Sequence, residues 1–256
     1  MLLRRITKHV TEQNWFAVFI DFFIVVVGIL IAFQITNWSQ AKDERIREQQ
    51  IIMDMLNDLE IDRRHYQDGL NVAVRKVNAV NASLKGAGTV PLDFNWEQIN
   101  DNIYEYSPEV IKETEDSLAD SPLLWSNSLN GVYPIPSTLT YDAIIGSGDI
   151  KLIKDRQLVR AIQLYQNRIE SLMLQNEKII SIRESTMMAG AEYGLAPFKK
   201  MPAAEYLQLV STNSELVALL NIQGIFAIFH FGDIKDANKQ AAELQDLLTT
   251  YLEAAP

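Results

Sequence analysis

Apolar and polar positions follow three regimes along the chain. The first is a run from Phe16 to Ile35, FAVFIDFFIVVVGILIAFQI, in which only Asp21 and Gln34 are strongly polar. Twenty residues at the α-helical rise span about 30 Å, the thickness of a bilayer's hydrocarbon core. Trp15 and Trp38 bracket the run, where amphipathic indoles favour the headgroup zone. With no polar face for a core helix to turn to water, the run predicts a transmembrane helix. It exceeds the apolar region of a secretory signal, and no small-x-small cleavage site follows it, so the anchor is expected to stay attached.

The second regime is a stripe with alternating steps of four and three. Ile52, Leu56, Leu59, Tyr66, Leu70, Ala73, Val77, Val80 and Leu84 form it, with Arg63 at its one polar position. This heptad pattern predicts a continuation of the first helix for about 50 Å. Gly86-Ala87-Gly88 and Pro91 then stop it. A second stripe runs Leu158, Ile162, Tyr165, Ile169, Leu172, Asn176 and Ile179. The two are expected to pack on each other in antiparallel fashion within one chain, with a homodimeric coiled coil as the other use of such a seam.

The third regime lies at the C-terminus. Leu216, Leu219, Leu220, Phe226 and Phe229, then Ala241, Leu244, Leu247, Leu248 and Tyr251, predict further helix, with Gly232-Asp233 as a kink or break. Residues 216–231 are apolar, but Asn221, Gln223 and His230 interrupt them, which favours a buried hairpin helix over a second span. The expected fold is therefore all-α: a transmembrane helix continuing into a long stalk or bundle helix, with an antiparallel helical-bundle soluble domain. The segments are 1–15, short and basic; 16–36, the span; 37–85, the heptad helix; 86–150, loops and short helices; and 151–256, the rest of the bundle.

Charge and composition narrow the function. The 256 residues carry a formal net charge of −10, which excludes a nucleic-acid-binding body. The absence of cysteine removes disulfides, thiolate nucleophiles and Cys-ligated zinc. Three histidines, His9, His65 and His230, lack metal-ligand spacing, and neither a Gly-x-x-x-x-Gly-Lys-Ser/Thr loop nor a Gly-x-Gly-x-x-Gly fingerprint occurs. Ser147 between Gly146 and Gly148 does not make the Gly-x-Ser-x-Gly elbow. No catalytic residue, metal site or cofactor is expected.

Acids from Asp93 to Asp120 lack the ordered calcium-loop spacing and suit a solvated surface. Nearby aromatics, Trp96, Tyr104, Trp125 and Tyr133, fit a small core, with a ligand pocket as the alternative. Asp21 stands inside the apolar run, where a carboxylate must snorkel, protonate or meet a partner. It is the candidate partner contact together with Gly28 and Gln34, although Gly28 is read as lacking a small-xxx-small companion. Ser147-Gly148-Asp149 predicts a tight turn, and Asp155 the N-cap of the helix carrying Leu158.

Two stretches resemble the DUF6090-like family of bacterial single-pass membrane proteins. The first is Asp21, then Gly28-Ile29-Leu30-Ile31-Ala32, then Gln34-Ile35-Thr36-Asn37-Trp38. The second is Thr140-Tyr141-Asp142-Ala143-Ile144-Ile145-Gly146-Ser147-Gly148-Asp149-Ile150-Lys151-Leu152-Ile153. Thr36 stands where the family has Asn, and Gly146 where it has Ser. The resemblance implies single-pass topology and no assigned reaction.

Lysines and arginines nearly balance across the span, with Arg4, Arg5 and Lys8 before it and Lys42, Arg45 and Arg47 after it. The short basic end favours an N-terminus in the cytoplasm, with the C-terminal domain outside a bacterial inner membrane. Two function classes follow. One is a non-catalytic accessory or scaffold subunit whose partners are the bilayer and other membrane subunits, with a second copy of the chain as a further candidate. The other is an extracytoplasmic sensor or ligand-binding domain signalling through a partner.

Overall fold

A computed structural model describes residues 15–93 and 115–254. Those residues are mostly helical, with no strand among them, and the fold is all-α. The chain divides into two compact units, 1–50 and 51–256.

Helix α1, Trp15–Gly86, spans 72 residues and contributes to both units. Within 51–256 the heptad stripe behaves as the pattern requires: Ile52, Leu59, Tyr66, Leu70, Ala73, Val77, Val80 and Leu84 are all buried. The helix ends where the glycines stop it. Gly88 takes a left-handed φ of 73°, and the Thr89 amide and hydroxyl both donate to the Leu84 carbonyl. Asn81 then holds the returning chain, accepting from the Leu92 amide at 2.9 Å and donating to the Leu92 carbonyl.

Short helices α2 (Glu115–Leu118), α3 (Leu124–Leu129) and α4 (Leu139–Ser147) follow, with a 3₁₀ turn at Asp149–Leu152. Gly148, with φ 76°, ends α4, and the Ser147 hydroxyl donates to Asp149, as the tight-turn reading expects. Asp155 caps α5 (Arg156–Glu192), accepting from the Gln157 and Leu158 amides. Helices α6 (Ala203–Ser211) and α7 (Ser214–Ala254) complete the bundle.

Between α3 and α4 the chain runs as a non-helical strap along α1. Pro134 of the strap lies against Gly69 and the Ser137 amide on Asp62, while Ser128 of α3 before it lies against Ser83 and the Thr140 amide of α4 after it on Asp58. Strap numbers rise as α1 numbers fall, so the strap returns the chain towards the Ile51 end before α5 begins.

That return corrects the expected pairing of the two seams. Every position of the second stripe, Leu158 to Ile179, is buried. It nevertheless runs parallel to α1, since Asp62 meets Tyr165 while Lys76, farther along α1, sits within electrostatic reach of Arg183. Helix α7 opposes both: it meets α1 through Arg63–Gln245, Gly69–Ile234 and Val80–Gly224, and α5 through Arg168–Asp233, Asn176–His230 and Thr186–Gln223. The bundle is antiparallel through α7. A heptad stripe fixes which face is buried but not which way its partner points.

Gly232-Asp233 does not break α7, which is continuous through both. Phe231 and Ile234 are buried on either side, and this anchoring outweighs the helix penalty of one glycine. The core forms two clusters. One gathers Ile52, Leu59, Leu70, Ile162, Ile169 and Phe231, and the other Leu84, Leu124, Trp125, Tyr206, Leu216 and Leu220.

Candidate functional site

The first site is the apolar stretch of α1 in the N-terminal unit. None of its apolar window is buried, whereas 39 % of the corresponding window of α7 is. Phe19, Phe22, Ile24, Ile29, Leu30 and Phe33 all expose more than half of their surface. This stretch is long and apolar enough to cross a membrane, and α7 passes the same test of length and composition. The burial of Leu216, Leu220, Ala227 and Phe231 makes α7 part of the bundle core.

Asp21, Gly28 and Gln34 are exposed, and a Cβ built on Gly28 meets nothing within 4 Å. Seven residues separate Asp21 from Gly28, which places them on one helix face, while Gln34 falls towards the other side. Ala32 lies four residues beyond Gly28 on the same face. The reading of Gly28 as a lone small residue is therefore corrected: Gly28-Ile-Leu-Ile-Ala32 is a small-xxx-small pair, and the signal was present in the sequence. Trp38 is 70 % exposed. Helix α1 begins at Trp15, whose side chain lies outside the described residues.

The second site is the polar interior of the bundle. Asp62 is 1 % exposed, and its carboxylate accepts from the Ser137 amide and the Tyr165 hydroxyl, each at 2.8 Å. Because Tyr165 donates to Asp62, Tyr66 donates to Tyr165, at 3.0 Å. Burial pushes the Asp62 carboxyl above its ordinary range, against the lowering effect of those two donors. Beside this chain is a cavity of about 30 Å³, bordered by Asp58, Asp62, Ser137, Thr140 and Gln166.

About three turns farther along α5, from Tyr165 to Asn176, lies a second polar layer. Asn176 donates its amide to the Pro134 carbonyl at 2.8 Å, so its oxygen must accept from His230 at 2.8 Å. The imidazole proton is thereby placed on Nε2. Burial first, and the Lys76 charge second, lower the His230 pKa to about 4 and keep the ring neutral at pH 7. The Tyr133 ring stacks on it with centroids 5.5 Å apart. Farther along, Gln223 donates to the Thr186 hydroxyl at 2.7 Å.

The four aromatics considered for a pocket do not share one among the described residues. Trp125 is core, packed over Gly190 and 6.4 Å from the Tyr206 ring, while Tyr133 belongs to the His230 layer. Trp96 and Tyr104 lie outside the described residues. No group of three His, Asp or Glu side chains able to hold a metal occurs among the described residues. Sequence reading missed Lys76 and Arg183, which flank the stripes and pass for ordinary surface charges.

No family model matches this chain, and no curated protein or solved structure matches it either.

Proposed function

We propose that this protein is a non-catalytic, single-pass membrane-anchored helical subunit that serves as an accessory or scaffold component of a membrane protein complex. The observation that carries the reading is the fully exposed apolar stretch of α1 with Asp21, Gly28 and Ala32 on one face. In a bilayer the apolar side chains meet lipid, the small pair allows a neighbouring helix to approach closely, and Asp21 gains a polar partner from it. The resemblance to the DUF6090-like family supports the same single-pass topology. The proposed orientation places the basic N-terminus in the cytoplasm and the bundle outside a bacterial inner membrane.

Gentle detergent extraction of native membranes, followed by sizing and mass spectrometry of what co-purifies with tagged protein, tests this reading. Wild type is expected to bring down stoichiometric membrane partners, and Asp21→Leu to lose them while still inserting. A monomer or homodimer in both samples overturns the accessory-subunit role.

A further inference from the structure

Three donors in the middle of the bundle meet no acceptor among the described residues. Lys76 is 3 % exposed and has no hydrogen-bond or ion partner among the described residues. The Arg183 Nε and the Tyr133 hydroxyl are buried and equally without partners. The helix register brings these groups to one level. On α1, Lys76 lies between Gly69, which touches Ile234, and Val80, which touches Gly224, so it stands level with the stretch of α7 that holds His230. On α5, Arg183 lies between Asn176, bonded to His230, and Thr186, bonded to Gln223. Tyr133 reaches the same level by stacking on His230.

Their electrostatics agree with that placement. Lys76 and Arg183 repel, the Lys76 charge acts on His230, and the Arg183 charge acts on Tyr133, while no carboxylate among the described residues acts on Lys76, Tyr133 or His230. Burying an ammonium without an acceptor is costly, and so is each orphaned polar hydrogen. One ammonium, one guanidinium edge and one phenol hydroxyl together match a small oxyanion, for which charge-assisted hydrogen bonds are strongest.

We propose that Lys76, Arg183 and Tyr133 form an oxyanion-binding site inside the bundle, one that takes a phosphate or carboxylate group. His230 is held neutral by Asn176 and forms one wall through its stack with Tyr133. The site is independent of membrane partners, so it stands or falls apart from the accessory-subunit reading.

Thermal unfolding of the full-length protein in mild detergent, with sodium phosphate or sodium acetate titrated against sodium chloride at matched ionic strength, tests the site. A saturable rise in Tm with phosphate alone, with acetate alone or with both identifies the group bound. Lys76→Met is expected to abolish the rise, Lys76→Arg to retain it, and Tyr133→Phe to weaken apparent affinity roughly two- to tenfold. Burial lowers Lys76 to about 7, so binding near pH 7 takes up about half a proton, visible as a buffer-dependent enthalpy in calorimetry. If neither anion exceeds chloride, or if the rise survives in Lys76→Met, the proposal fails. Should Lys76→Met not fold, an unaltered response in Tyr133→Phe and Arg183→Met overturns it equally.

Discussion

At the scale of single residues, Lys76 is the most consequential side chain in the bundle. Burial, reinforced by Arg183, lowers its pKa from 10.5 to about 7. The unfolded chain therefore binds more protons than the folded one between pH 7 and 10.5, and stability rises with pH across that window. Without an added oxyanion, Lys76→Met removes a buried cation that has no partner among the described residues, at similar volume. We expect it to stabilise the fold by roughly 2–4 kcal/mol at pH 7, with the pH 7–10.5 slope flattened. Denaturant unfolding of both proteins across that range checks the sign, and a less stable Lys76→Met would show that the ammonium is well accommodated. None of this is legible in the sequence. Lys76 immediately precedes Val77 of a helical stripe, and polar residues beside a seam are ordinarily solvated; Arg183 of α5 and His230 of α7 come within its electrostatic reach only in the folded bundle. Asp62 was hidden for the same reason, since its partners Ser137 and Tyr165 lie 75 and 103 residues away. Gly28 and Ala32 were the reverse case, legible from spacing alone.

At the scale of elements, both heptad seams were legible, because a 3.5-residue alternation of apolar side chains has no other economical use, but at two positions of the first the neighbour is the buried residue: Met55 in place of Leu56 and Asp62 in place of Arg63. Caps and stops were equally plain: Asp155 accepts the amides it was expected to accept, and α1 ends at its glycines. The strap was read only as part of a loop region, since prolines and serines exclude helix without saying what the chain leans on. Glycine was misleading at Gly232, where flanking burial carries the helix through. A Cβ there meets nothing within 4 Å, so Gly232→Ala is expected to raise stability by about 0.5–1 kcal/mol, measurable as a higher denaturant midpoint. A loss would mean that α7 needs the glycine to bend. Gly190 has no such latitude, because its Cβ would run into the Trp125 ring.

At the scale of the whole molecule, both core clusters draw their buried residues from Ile51 onward. A protein comprising residues 51–256 is therefore expected to be helical and to unfold cooperatively without detergent, as circular dichroism and sizing would report; a broad transition would show that the N-terminal unit contributes to folding. The parallel course of the two seams has a further cost that appears during synthesis. Helix α1 leaves the ribosome with its apolar stripe complete, yet its neighbours on α5 and α7 follow only after the short helices and strap. Contacts such as Arg63 with Gln245 close across 182 residues. At about 5–20 residues per second the nascent stripe waits on the order of ten seconds for its partners. During that interval a holdase chaperone, or a second nascent chain, meets the same apolar surface that the finished bundle conceals.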